Sequence, residues 1–274
     1  MAITKTTRQN KQILTSSNYY SREMDIKYMS VSQFKDFLKC EAKTMAVLNG
    51  EFEEPPNKDM LVGSYVHAAL ESDEAFKRFI EKNNSVIFKK NGEKYADYEL
   101  ADKMIETLKN DKFVMFALEG EKEQIMTADL FGCEWKMKVD VINHEGKRFA
   151  DIKTTRNLFE RHWSDKYDGW VSFVEKWDYI LQMAIYRKII EANTGELYTP
   201  YIVAVSKEKV PNKAIIHFDE SRFDFEYQYI ESFIERILNV KKGKITPKRC
   251  EKCDYCKSTK QLSGTIEVGE LIYV

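Results

Sequence analysis

The sequence predicts a mixed α/β domain with a central sheet flanked by helices, because the period of its apolar residues changes twice. Before residue 119 the apolar positions recur at helical spacing. From Glu123 they alternate at period two through three successive stretches. Beyond Trp177 helical spacing returns, broken by the apolar run 200–206. The chain has 274 residues, 43% of them hydrophobic, enough for one large domain or two small ones with a sizeable core.

Residues 1–27 carry few apolar side chains and read as a polar arm. The start lacks an apolar signal core, and no apolar run is long enough to span a bilayer. These features predict a cytoplasmic protein without a membrane partner. A helix opens at Ser30-Val31-Ser32, where either serine can cap it; Phe34, Phe37 and Leu38 share one face and Cys40 closes the stripe. After a loop around Pro55-Pro56, a second helix starts at Gly63-Ser64, with His67 in its first turns. Residues 99–118 form a further amphipathic helix with Leu100, Met104, Ile105 and Leu108 in register.

The strands follow. Q-I-M-T-A-D-L-F and C-E-W-K-M-K-V-D-V-I alternate, the second with Trp135, Met137, Val139 and Val141 on one side and Glu134, Lys136, Lys138 and Asp140 on the other. After the turn N-H-E-G-K, R-F-A-D-I-K-T alternates as well, so Asp151 and Lys153 share a face. With Glu145-Gly146 as the central turn residues, Asp140 lies opposite Asp151 and Lys138 opposite Lys153. Residues 157–176 read as irregular or partly helical, and 177–190 as a strong helix with Gln182 and Tyr186 on one face. The run 200–206 is a buried strand with 214–219 as its neighbour, and a long helix runs from Arg222 to about Val240. There is no internal repeat and no low-complexity linker.

Two carboxylates and a lysine interrupt strands that would otherwise be apolar. Asp140 and Asp151, with the carbonyl of Ile152 as a third ligand, can hold a hard divalent cation such as Mg²⁺, and Lys153 can orient or help deprotonate an attacking water. That is the chemistry of phosphodiester hydrolysis. The competing reading is a polar edge hairpin in which Asp151 and Lys153 merely neutralise each other. Glu123, with Glu119 and Glu121 as rivals, is a candidate further acid.

Net charge is −1, so any nucleic-acid contact must come from local patches. One lies at 236–260, with nine basic residues against two acidic ones; it is either a phosphate-binding surface or a solvated helix end. Three of the five cysteines, Cys250, Cys253 and Cys256, are spaced C-x2-C-x2-C, which lets one loop wrap three thiolates around a single centre. Cys40 is the candidate fourth ligand. Neighbouring Lys and Arg residues favour thiolates. A tetrahedral Zn²⁺ site and unligated thiols both remain open. Cys133 reads as a packed thiol.

The stretch D-V-I-N-H-E-G-K-R-F-A-D-I-K-T-T resembles the D…(D/E)-x-K core of the PD-(D/E)XK nuclease superfamily. Q-M-A-I-Y at 182–186 resembles the Q-x-x-x-Y helix of its RecB and lambda-exonuclease branch, and L-V-G-S-Y-V-H at 61–67 the G-x-x-x-H helix that precedes the core. With C-E-K-C-D-Y-C-K near the end, residues 30–262 resemble the phage-type, exonuclease VIII-like members; the second acid is Asp151 where many relatives carry Glu.

The resemblance implies a restriction-endonuclease-like core over 28–245 and a Cys-containing segment, 246–274, packing back on it. It implies Asp140, Asp151 and His67 at a Mg²⁺ (or Mn²⁺) site, Lys153 as the catalytic lysine, and Gln182 and Tyr186 as supports. Without it, His67 reads equally well as a satisfied histidine, and Gln182 and Tyr186 as helix packing. The cysteines would then hold a [4Fe–4S] cluster, although in such relatives the last cysteine lies further on, which keeps zinc in contention. The implied activity is exonucleolytic cleavage of linear double-stranded DNA in phage-type recombination, within a bacterial host cytoplasm, beside a single-strand annealing protein and with homo-oligomer formation open. The alternatives are a single-strand or flap nuclease and a non-catalytic DNA-binding module that keeps the fold.

Overall fold

The computed structural model describes residues 13–55 and 57–269. The described part opens with helices: α1 (Arg22–Lys27), α2 (Val31–Lys39), α3 (Glu41–Asn49), α4 (Lys58–Glu71), α5 (Asp73–Lys82), α6 (Asn84–Ile87), α7 (Ala96–Lys109) and α8 (Lys112–Ala117). Then come β1 (Glu121–Leu130), β2 (Cys133–Asn143), β3 (Arg148–Thr155), β4 (His162–Ser164), β5 (Gly169–Val171), α9 (Phe173–Lys176) and α10 (Tyr179–Thr194). The chain finishes with β6 (Thr199–Ser206), β7 (Lys213–Ile216), α11 (Ser221–Lys241) and α12 (Asp254–Ser258). The five-stranded sheet has the order β1-β2-β3-β6-β7. Only β3 and β6 run parallel, and α10 crosses between them, so the sheet is mixed as expected.

The core lies on both faces of this sheet. On one, Trp135, Met137, Val139, Ile142, Phe149 and Ile202 pack against α2, α10 and α11. On the other, Val141, Ala150, Ile152, Val203 and Val205 pack against α4 and α7. The expected placement of Val141 beside Trp135, Met137 and Val139 is therefore corrected. The alternation of β2 slips between Val139 and Val141, and Asp140 sits at the slip. Its neighbour across β1 is Glu123, which carries a positive φ of 54°, an uncommon conformation for a side-chain-bearing residue.

Several local expectations also change. Ser30 caps α2 as read, its side chain accepting from Gln33 N. The helix bearing His67 starts at Lys58 under the Asn57 cap, not at Gly63. Gly63 lies inside it, facing β3, where an added Cβ would stand in ordinary contact with Thr154 Oγ1 at 3.5 Å. The helix expected over 99–118 is two, because Asp111 caps α8 through the N–H groups of Phe113 and Val114. Residues 1–12 of the expected arm and 270–274 of the tail lie outside the described residues. Within 13–27, α1 packs down with Tyr19 and Met24 buried. The Lys136 ammonium reaches across to the Tyr19 carbonyl and to Asp25 Oδ1 (2.7 Å), which explains how a lysine on the polar side of β2 comes to be buried.

Candidate active site

The pairing of β2 with β3 keeps the expected offset, Val141 to Ala150, Ile142 to Phe149 and Asn143 to Arg148, and then stops. Beyond this point the strands part, and the gap is filled by side chains. Asp140 Oδ2 accepts a hydrogen bond from Ile152 N at 2.7 Å, where the backbone ladder would have continued. The same oxygen lies 3.3 Å from His67 Nδ1, brought in by α4 from one face of the sheet. From the opposite face α10 brings Gln182, whose amide donates to Asp151 Oδ1 at 2.6 Å. One turn further on, the Tyr186 hydroxyl points at the Lys138 carbonyl, 3.5 Å away. The two acids are thus held from two different helical layers.

Lys153 Nζ stands 2.5 Å from Asp151 Oδ2 and 4.6 Å from the centre of the Tyr179 ring. Tyr179 follows Asp178, whose left-handed φ of 54° makes the sharp entry into α10. No sequence motif flagged Tyr179, yet it lies three residues before Gln182 on α10, so extending that spacing by one turn would have found it. Lys35 was also missed. Its ammonium donates to the Trp177 carbonyl at 2.6 Å, and burial pushes its pKa down to about 8. Nothing in its local sequence distinguishes it from a surface lysine. The expected opposition of Lys138 to Lys153 is replaced by ion pairs: Lys138 with Glu123, and Lys153 with Asp151. Glu123 therefore stands at the site through Lys138, whereas Glu119 lies near Arg148 at the hairpin turn.

The electrostatics push the two carboxyls apart. Burial works to raise both. At Asp140 it is outweighed by the His67 charge and hydrogen bond, by Lys153 and by the Ile152 N–H, so its pKa falls below the ordinary value. At Asp151 burial prevails over Lys153, with the Asp140 charge adding to the rise. Burial opposes the charged forms of His67 and Lys153, but the facing carboxylates raise both pKa values. Two carboxyls tuned in opposite directions beside a lysine form a site equipped for chemistry.

Asp151 is 2% exposed, and its Oδ2 faces the Lys153 ammonium at 2.5 Å. A buried carboxylate oxygen met by a single cation keeps lone pairs that can serve a metal ion. Asp140, Asp151 and His67 do not converge on one point as the cysteines do. Among the described residues only Cys40, Cys250, Cys253 and Cys256 bring three or more such ligand atoms within 4.8 Å of one another. Mg²⁺ keeps several waters and needs only one or two carboxylates, so the looser acid set suits it. The acids open into a cleft of about 790 Å³ that Arg78, Lys82 and Lys138 also line. A neighbouring groove carries Arg156 and Lys207 past His162 and Trp177.

The C-terminal segment returns to the helical half. Cys40 caps α3 and Cys253 caps α12, with Cys40 and Cys256 buried. Glu41 holds the Arg236 guanidinium through two bonds of 2.7 and 2.8 Å and also accepts from Lys248 N at 2.7 Å. Lys241 is likewise engaged, by the carbonyls of Asp25 and Tyr28 and by Gln33. Within the basic stretch at 236–260, Arg236 and Lys241 are thus structural, which neither the phosphate-binding nor the solvated-helix-end reading expected. Cys133 is separate from the other cysteines, and burial pushes its thiol up to about 11. Among the described residues no helix is long and apolar enough to cross a membrane.

A solved structure from Eubacterium rectale, described provisionally as an exonuclease, is 35% identical over 96% of this chain and 99% of its own, with a TM-score of 0.90. A second, SSO0001, is 15% identical over 74% of this chain and 95% of its own; its TM-score of 0.26 carries no argument. No curated protein matches the chain. Residues 30–259 match the family described as a PDDEXK-like domain of unknown function (DUF3799). With the mixed sheet and the acids at the end of its central hairpin, this chain belongs to that PDDEXK-like family and has its nuclease-like fold.

Proposed function

We propose that the chain is a metal-dependent deoxyribonuclease that degrades linear double-stranded DNA from its ends. The observation that carries this reading is the meeting of Asp140, Asp151 and Lys153 where β2 and β3 part, at the floor of a cleft that Arg78 and Lys82 also line. The kinship with a structure provisionally described as an exonuclease supports the end-directed mode. Asp140 and Asp151, with His67 and the Ile152 carbonyl, would hold Mg²⁺ or Mn²⁺. Such an ion, when bound, neutralises phosphate charge and lowers the pKa of water.

The chain's own residues do the rest. Gln182 fixes the Asp151 carboxylate from one side, and His67 and Ile152 N fix that of Asp140 from the other. Lys153, steadied over Tyr179 and held charged by Asp151, offers a positive charge to the pentavalent phosphate and a hydrogen bond that orients the attacking water. Arg78 and Lys82 give phosphate contacts without sequence preference. In the cell this activity suits phage-type recombination in the bacterial cytoplasm, alongside a single-strand annealing protein.

End-labelled linear duplex and covalently closed circular DNA, each with and without Mg²⁺ or Mn²⁺, test the proposal. Linear DNA is expected to be degraded only with metal, and circles are expected to survive. Metal-independent cutting, or equal attack on circles, would overturn it.

A specific feature favours single-strand contact beside the site. Residues 157–176, expected to be irregular or partly helical, contain the hairpin β4–β5, whose paired Trp163 and Trp170 are 47% and 65% exposed and meet edge to face at 5.9 Å. Arg161 lies over Trp170, and the adjoining His162 lines the groove that reaches Lys153. Stacking of bases on such rings is worth about 1–3 kcal/mol per base. Trp170→Ala is therefore expected to weaken binding of a short single-stranded oligonucleotide roughly 5- to 150-fold while leaving blunt-duplex binding nearly unchanged. Fluorescence anisotropy measures both, and equal loss on the two ligands would count against a stacking role.

A further inference from the structure

The four cysteines that join the two ends of the described chain carry an inference independent of what the acidic cleft does. All four Sγ atoms lie within 4.8 Å of one another, with Cys40 to Cys256 at 3.6 Å and Cys250 to Cys256 at 4.0 Å. One zinc ion about 2.3 Å from each of four thiolates places the sulfurs about 3.8 Å apart. A [4Fe–4S] cube binds each thiolate to a different iron, at outward corners, and spreads the sulfurs to on the order of 6 Å. None of the separations among the four cysteines reaches that value.

The backbone is arranged to match. Lys252 N and Cys253 N both point at Cys250 Sγ (3.4 and 3.3 Å), across the left-handed Glu251. Cys256 N points at Cys253 Sγ (3.5 Å) and Lys43 N at Cys40 Sγ (3.4 Å). Such N–H groups offset the charge that four thiolates gather on one divalent ion. Arg249 adds a cation beside the loop, donating to the Cys256 carbonyl at 2.6 Å.

We infer that Cys40, Cys250, Cys253 and Cys256 hold a single Zn²⁺ in a closed tetrahedral site, and not the [4Fe–4S] cluster expected from the sequence resemblance. Zinc is chosen over a lone ferrous ion because divalent affinity rises from iron to zinc at a given ligand set. All four positions of the ion are taken by protein sulfur, so the site is a staple without chemistry of its own. It closes a loop from residue 40 to residue 256, beside the Glu41–Arg236 ion pair and the hydrogen bond from Ala42 N to the Lys248 carbonyl.

Metal analysis of the full chain, purified anaerobically without metal-affinity resin or chelator, tests the site. One zinc per chain is expected, with no acid-labile sulfide and no brown colour. The zinc should stay in Asp140→Asn and Cys133→Ser and be lost from Cys256→Ser. Exchange of the wild-type metal for Co²⁺ should give the intense visible bands of a tetrahedral thiolate site, a readout that does not depend on the variants folding. Iron with stoichiometric sulfide, a single iron, four freely titrating thiols in the native chain, or zinc that leaves with Asp140→Asn would each overturn the assignment.

Discussion

Lys153→Ala is expected to lower the rate of metal-dependent DNA cleavage by about 10²–10⁴-fold while KM changes little. The reason is geometric. Lys153 stands 2.5 Å from Asp151 Oδ2, and the Tyr179 ring and the Asp151 carboxylate together limit where its ammonium can go. A charge held in place before the substrate arrives acts on charge that develops in the transition state, so its loss falls on kcat. Lys153→Arg should not restore the rate, because a guanidinium would stack on Tyr179 and pair with the Asp151 carboxylate through a wide planar fork, leaving no compact point charge aimed at the phosphate. Asp140→Asn should lose a comparable factor for a different reason, weakened metal binding, and raising Mn²⁺ should recover part of its activity but none of that lost in Lys153→Ala. Single-turnover cleavage of end-labelled duplex across a metal titration separates the two. If Lys153→Ala stays within tenfold of the wild type, the lysine is only a structural partner of Asp151.

Much of this site was legible because strands declare their faces. The period-two pattern of 148–155 put Asp151 and Lys153 together, and the offset counted through the turn matches the observed pairs from Val141–Ala150 to Asn143–Arg148. Gln182 and Tyr186 were readable from their separation of four on one helix. What stayed hidden depends on contacts between distant segments. Gly63 looked like a helix start because glycine disfavours helix interiors, but the helix begins a turn earlier, at Lys58 under the Asn57 cap. The three-residue strands β4 and β5 are too short to show a period. Val141 turns to the opposite face at a distortion beside Glu123 that alternation does not encode. The basic stretch 236–260 shows its charge in the sequence, but its partners Glu41, Asp25 and Gln33 lie some two hundred residues away.

Mg²⁺ or Mn²⁺ is expected to raise the melting temperature of the wild type and to leave Asp151→Asn unmoved. In the metal-free protein, burial lifts the Asp151 carboxyl above its ordinary value; Lys153 pulls it back in part, and the Asp140 charge adds to the rise. The sign follows from linkage. Where the unfolded chain has released this proton and the folded chain still holds it, folding stability falls as pH rises, from the ordinary aspartate range up to the raised folded value. At neutral pH the ionised Asp151 therefore costs the metal-free fold stability. Asparagine removes that cost but also leaves the buried Lys153 ammonium without its carboxylate, so the size of the metal-induced rise, and not the metal-free melting temperature, is the readout. A cation that binds only the folded state stabilises it, adding about 2.7 kcal/mol at a hundredfold excess over its Kd. For a chain of this size that is roughly 5–10 °C in Tm. The amide offers no charge to the ion, so the variant should show little of this rise. Differential scanning fluorimetry with and without metal, at pH 7 and again near pH 5, reads both effects. An equal metal-induced rise in Asp151→Asn would place the ion elsewhere in the cleft and leave Asp151 as an ion-pair partner of Lys153 alone.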